Sequence, residues 1–113
     1  MSEILPLVVF VTVPNKETAE KIARSLIEAR LAACVNIVDG LKSVYWWQGK
    51  IEEDNELLLI IKTRIEVFEE LVLKIRELHP YSVPEIIGLP IIAGSKDYID
   101  WLRNEVRRGK QNQ

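Results

Sequence analysis

The sequence predicts one α+β domain over residues 1–113, with the element order β-α-β-β-α-β and a further helix at the C-terminal end. Three observations predict it. Apolar runs with no helical spacing, at 7–13 and 57–61, read as strands buried on both faces. Apolar residues recur at helical spacing in three other stretches. Gln48-Gly49 is a turn signal between two long extended segments and marks a hairpin joining the second and third strands.

Leu7 to Val13 forms the first strand, and Pro14-Asn15 ends it. Asn15 is suited to cap a helix whose stripe is Ala19, Ile22, Ala23, Leu26 and Ile27. From Ala32 the period becomes two. Ala33, Val35 and Ile37 then share one side, and Cys34, Asn36 and Val38 the other. Asp39-Gly40 permits a bend or bulge, and 41–47 continues extended. A two-residue turn at Gln48-Gly49 pairs Tyr45 with Glu52, Trp46 with Ile51 and Val35 with Lys62. Thr63 and Glu66 have the spacing of a capping box. The helix predicted after it carries Phe68, Leu71, Val72, Ile75 and Leu78 inward and stops at His79-Pro80. Pro84 and Pro90 confine the strand between Val83 and Ile92 to an edge. Ser95 caps the last helix, with Tyr98, Ile99, Leu102 and Val106 inward and Gly109 as its stop. This order is that of a ferredoxin-like antiparallel sheet with helices on one face. Its other face still carries apolar residues, so another subunit is expected to cover it.

Composition narrows the function. With 48% hydrophobic and 28% charged residues and a net charge of -2, the chain lacks the basic footprint of a nucleic-acid binder. Arg103, Arg107, Arg108 and Lys110 are placed to complement a helix C-terminus. The single cysteine, Cys34, rules out an internal disulfide and fits a reducing, cytoplasmic setting. The first ten residues do not read as a signal peptide, and no apolar run approaches the roughly 18 residues of a membrane span.

The hairpin bears on assembly. A strand from Ala32 to Trp47 is roughly 50 Å long. A domain of this size is roughly 35 Å across. The hairpin must therefore bend sharply or project, and a projecting arm exposes Tyr45, Trp46 and Trp47. Such a patch marks a contact with another subunit.

Few residues suggest chemistry. His79 has the character of a ligand or general base, or of a helix-end histidine held by carbonyls. Cys34 is a soft metal donor or a small core residue. Glu52, Glu53, Asp54 and Glu56 attract a hard cation or form a solvated hairpin flank. Lys62 is an anion contact or the partner of Glu56 or another carboxylate. No P-loop, GxGxxG, GxSxG or HExxH motif is present, and the expectation is a protein that is not an enzyme.

Five segments, in order, carry a resemblance. They are Ala32-Ala33-Cys34-Val35-Asn36-Ile37, Tyr45-Trp46-Trp47-Gln48-Gly49-Lys50-Ile51-Glu52, Ile61-Lys62-Thr63, His79-Pro80-Tyr81-Ser82-Val83-Pro84-Glu85-Ile86-Ile87 and Tyr98-Ile99-Asp100-Trp101-Leu102. Together they resemble the divalent-cation tolerance (CutA) family. The resemblance implies a homotrimer with hairpins paired across subunits, and a link to tolerance of copper and other divalent cations. It implies metal donors at His79 and Cys34, and an inter-subunit cleft at Trp46, Lys62, Tyr81 and Glu52. Tyr45, Trp46 and Trp47 would clasp the trimer. Some bacterial members carry a further cysteine where this chain has Val11, which implies weak binding of Cu(II) here. Two alternatives remain: a trimeric small-molecule sensor similar to the nitrogen-regulatory signal transducers, and a structural trimer without chemistry.

Overall fold

The computed structural model describes residues 5–109. Elements run β1 (Pro6–Val13), α1 (Lys16–Glu28), β2 (Cys34–Trp47), β3 (Lys50–Arg64), a 3-10 turn (Ile65–Val67), α2 (Phe68–Leu78), β4 (Ile86–Pro90) and α3 (Lys96–Glu105). The strands form one sheet in the order β2-β3-β1-β4, with every described pairing antiparallel. This is the predicted α+β arrangement. The proline-flanked β4 lies at an edge, where a missing N–H costs no ladder bond.

Alternation divides the sheet. Val9, Val11 and Val13 of β1 and Leu59 and Ile61 of β3 are fully buried, packed with Ile22 and Leu26 of α1 and Leu71 and Ile75 of α2. Their even-numbered neighbours point to the other face, since successive side chains alternate. Asn15 caps α1 as expected, its Oδ1 accepting the Thr18 N–H at 2.8 Å. Ile27, expected inward, is exposed.

The hairpin turn is a two-residue type I′ turn, with φ of 50° at Gln48 and 81° at Gly49. Its pairs Tyr45↔Glu52 and Trp46↔Ile51 match the expectation. Beyond Asp39-Gly40 the register moves by one, and Cys34 rather than Val35 faces Lys62. Between the pairs Val38↔Leu58 and Leu41↔Glu56, two residues of β2 oppose Leu57 alone. The bulge absorbs one residue and keeps Cys34, Asn36 and Val38 on the helix-free face together with Leu41, Ser43 and Tyr45. It does not fold the hairpin back: the molecule measures 48 × 34 × 25 Å, with a radius of gyration of 14.9 Å.

Two helix boundaries differ from expectation. Thr63 is no N-cap, because β3 runs on through Arg64. Its buried hydroxyl instead donates to the Leu31 carbonyl at 2.7 Å, tying the end of β3 to the segment before β2. α3 ends at Glu105, four residues before Gly109, and Tyr98 is exposed although Leu102 and Val106 are buried. Gly109 is small for a packing reason: a Cβ there would lie 2.8 Å from the Glu66 carbonyl oxygen. Arg103 occupies the last turn of α3, as its charge favours, while Lys110 lies outside the described residues.

Candidate functional site

The arm projects because β2 and β3 stay paired out to Trp47↔Lys50 while the helices cover only the base of the sheet. Its aromatic residues are exposed, Trp46 by 72%. The arm and the segment after α2 border an open cleft of about 700 Å³. Ser43, Val44, Tyr45, Trp46 and Trp47 line it from the arm. Tyr81, Ser82, Val83 and Glu85 line it from the loop, with Thr12 and Glu56 from the sheet.

His79 sets the loop. Proline at position 80 ends α2, leaving His79 as its C-cap in an extended conformation. His79 is buried, with 7% of the residue exposed. Its Nε2 lies 2.8 Å from the Thr12 carbonyl oxygen, and its Nδ1 accepts the Tyr81 N–H at 3.2 Å. These bonds fix the tautomer with the proton on Nε2. They anchor the loop to β1, and the Tyr81 ring packs at 4.7 Å from the imidazole.

Tyr81 then reaches Glu56. Its hydroxyl donates to Glu56 Oε2 at 2.8 Å, and Glu56 is 6% exposed. Burial and the Glu56 carboxylate raise the Tyr81 phenol well above its ordinary range. On the arm, the Tyr45 hydroxyl donates to Asp54, and that bond, followed by desolvation, pushes Tyr45 up to about 12. Both phenols are neutral donors at physiological pH.

An unfolded tyrosine ionises near pH 10, before either folded one. Above that pH the unfolded state holds fewer protons, so stability falls as pH rises. We expect urea midpoints to drop between pH 9.5 and 11 in wild type, and to drop less in Tyr81→Phe. Parallel declines in the two proteins would contradict this contribution from Tyr81.

The acidic run is divided by alternation. Glu53 faces the helix side with Lys42, at 3.5 Å. Glu52, Asp54 and Glu56 share the other face at i, i+2 and i+4, and the last of them is buried. Glu56 is the residue that the expectation of a solvated flank overlooked. Its signal was an acidic residue directly before a buried apolar run.

The expected site residues are only partly gathered. Trp46 and Tyr81 line one cleft, whereas Lys62 and Glu52 are not among its lining residues. Lys62 lies six residues from Glu56 along β3, roughly 20 Å, so the two cannot pair. The Lys62 ammonium donates to the Asn36 amide oxygen instead, and the Cys34 thiol lies 3.9 Å from the same oxygen. Cys34 and His79 stand apart. Cys34 is level with Lys62 and Val8, whereas His79 is bonded at Thr12, four residues or roughly 13 Å further along β1. Among the described residues, no three His, Cys, Asp or Glu side chains gather to hold a metal ion. The donors within one protomer therefore do not fit a closed copper centre. No described helix is long and apolar enough to cross a membrane.

Comparison with known proteins places this geometry. The model of the CutA1 divalent ion tolerance protein family matches residues 7–105. The divalent-cation tolerance protein CutA of Thermus thermophilus is 56% identical over 96 residues, covering 85% of this chain and 93% of its own. Human protein CutA is 48% identical over 94 residues, 83% of this chain but only 52% of its own length. Among solved structures, that of the Thermus thermophilus protein superposes with a TM-score of 0.89 at 53% identity, covering 90% of this chain and 99% of the other. CutA1 from Oryza sativa gives a TM-score of 0.89 at 51% identity, covering 92% and 95%. Some relatives are named as chloroplastic, and one structure is described as periplasmic. By the family match and by these identities, the chain belongs to the CutA1 divalent ion tolerance family.

Proposed function

We propose that the chain acts as a homotrimer in divalent-cation tolerance, holding copper or another divalent ion weakly and catalysing no reaction. The observation that carries the assembly is the helix-free face of the sheet. Phe10, Val38, Leu58, Ile60, Ile87 and Leu89 fall on it by register, and Val38, Ile87 and Leu89 are exposed. A sheet face left in water is normally polar. A second copy covers this one, and the projecting aromatic arm supplies the reach. The family's cation-tolerance name supports the cation role. A single cysteine, with no partner for an internal disulfide, supports a cytoplasmic setting.

Weak metal binding follows from the donors. Cys34 is half-exposed and offers one thiol, while His79 must give up a backbone hydrogen bond to offer a nitrogen. Titration of Cu(II) into wild type, Cys34→Ala and His79→Ala tests this. Weak binding that declines in each variant is expected. Equal binding by all three would remove both residues as ligands. The small-molecule sensor is a second reading, favoured by the cleft of about 700 Å³, which lies within the size range of small-ligand sites.

A further inference from the structure

We infer that the carboxylate of Glu56 receives its counter-charge from Lys62 of the partner subunit, so that copies pack with the basic end of one β3 against the acidic end of the next. The inference rests on the assembly proposed above and deepens it by naming the charged pair that sets its register.

Each half of the pair lacks an opposite charge within its own chain. Glu56 is 6% exposed and borders the cleft, and its described partner is the Tyr81 phenol and not a cation. Its same-face neighbours along β3 and across to β2 are Asp54, Leu58 and Leu41. Lys62 is in the complementary position. Its ammonium donates to the neutral Asn36 amide, and its same-face neighbours include Ile60, Val8 and Cys34. The two residues share the helix-free face but lie six residues apart on β3, roughly 20 Å. The other β3 cations on that face by register have acidic neighbours of their own: Lys50 lies two residues from Glu52, and Arg64 pairs with Glu66.

Covering the face removes water from both groups. A charge buried alone costs far more than a buried pair, so a contact that brings the two ends together is favoured over one that buries them apart. Between the ends lie Leu58 and Ile60, with Val38 and Phe10 beside them on the neighbouring strands. The contact therefore has an apolar centre flanked by opposite charges. The open cleft is the way in for the ammonium, whose slender methylene stem suits a partly apolar passage. A carboxylate accepts several hydrogen bonds, so Glu56 can take the ammonium and keep the Tyr81 hydroxyl. In a closed ring of three, each copy gives Lys62 to one neighbour and receives a Lys62 from the other, and all three carboxylates are paired.

The test uses the full chain. Subunit exchange between unlabelled and isotopically labelled protein, followed by native mass spectrometry, reads the strength of the contact. Glu56→Gln and Lys62→Met should each speed exchange by about thirtyfold or more, since each leaves one charge buried unpaired. The double variant should exchange within about tenfold of wild type, because both charges are removed together. Exchange that neither single variant changes, or that is faster still in the double variant, overturns the pairing. Carbodiimide treatment of wild type gives a second test that needs no variant. It condenses an amine with a carboxylate in contact, and the roughly 20 Å between these residues in one chain rules out a link within it. Between labelled and unlabelled chains, an amide joining Lys62 to Glu56 is expected. A trimer that links Lys62 to Glu52, Asp54 or Glu85 instead, or gives no link at Glu56, overturns the pairing even if the variants fail to fold. Sedimentation of the same sample separates the two readings. A trimer with either contrary result overturns the pairing alone, and a monomer overturns the assembly and the pairing with it.

Discussion

Ile87→Glu or Leu89→Glu is expected to convert the proposed trimer to a monomer while leaving the protomer folded. The two side chains are 51% and 43% exposed in a single chain, so a carboxylate at either place meets water before assembly. Neither belongs to the buried cluster that holds the helices to the sheet. Register puts them beside Phe10 and Val8 on the helix-free face, where a second copy is proposed to sit. Burying an unpaired carboxylate there costs at least several kcal/mol, on the order of the binding energy of a whole interface. Size-exclusion chromatography with far-ultraviolet circular dichroism checks both halves of the expectation. A variant that remains trimeric would show that this face is not the contact. A variant that loses its secondary structure would show that the face stabilises the protomer itself.

The second large effect lies on the opposite face. Leu59 is fully buried in β3, between β2 and β1, and packs in the cluster with Ile22, Leu26, Leu71 and Ile75. Leu59→Ala is expected to cost about 2–5 kcal/mol, from lost transfer energy and the cavity left behind. That is a large part of the roughly 5–15 kcal/mol that holds an ordinary domain together. In the proposed trimer, linkage to assembly would mask part of it, because association stabilises folded protomers by mass action. The urea midpoint should therefore fall in Leu59→Ala and should also rise with protein concentration in both proteins. A change below about 1 kcal/mol at fixed concentration would mean that the sheet face relaxes around the deletion far more than buried sites usually do.

The fold is legible in the sequence wherever local chemistry decides it. The run of valines in β1, the Asn15 cap, the turn at Gln48-Gly49 and the edge position of β4 all depend on local chemistry, and they appear where local chemistry puts them. Asp39-Gly40 signalled a bulge, but how many opposing residues a bulge consumes is decided by the partner strand. The pairing was therefore right at Trp46↔Ile51 and off by one at Cys34↔Lys62. Thr63 and Glu66 have capping-box spacing, yet a threonine hydroxyl serves a distant carbonyl equally well, and Leu31 supplied one. The site was less legible than the fold. The expectation of an inter-subunit cleft at Trp46, Lys62, Tyr81 and Glu52 came from family resemblance and not from any local pattern. Glu56 is defined by Tyr81, which lies 25 residues away, and by a burial that only the folded loop creates. The bonds from His79 to Thr12 and Tyr81 are likewise tertiary.

The central claim is that the uncovered sheet face and the projecting arm belong to a homotrimer. Sedimentation equilibrium of the wild-type protein at micromolar concentration tests it most directly. The account predicts a single species of three times the chain mass, and a species of one chain mass would contradict it.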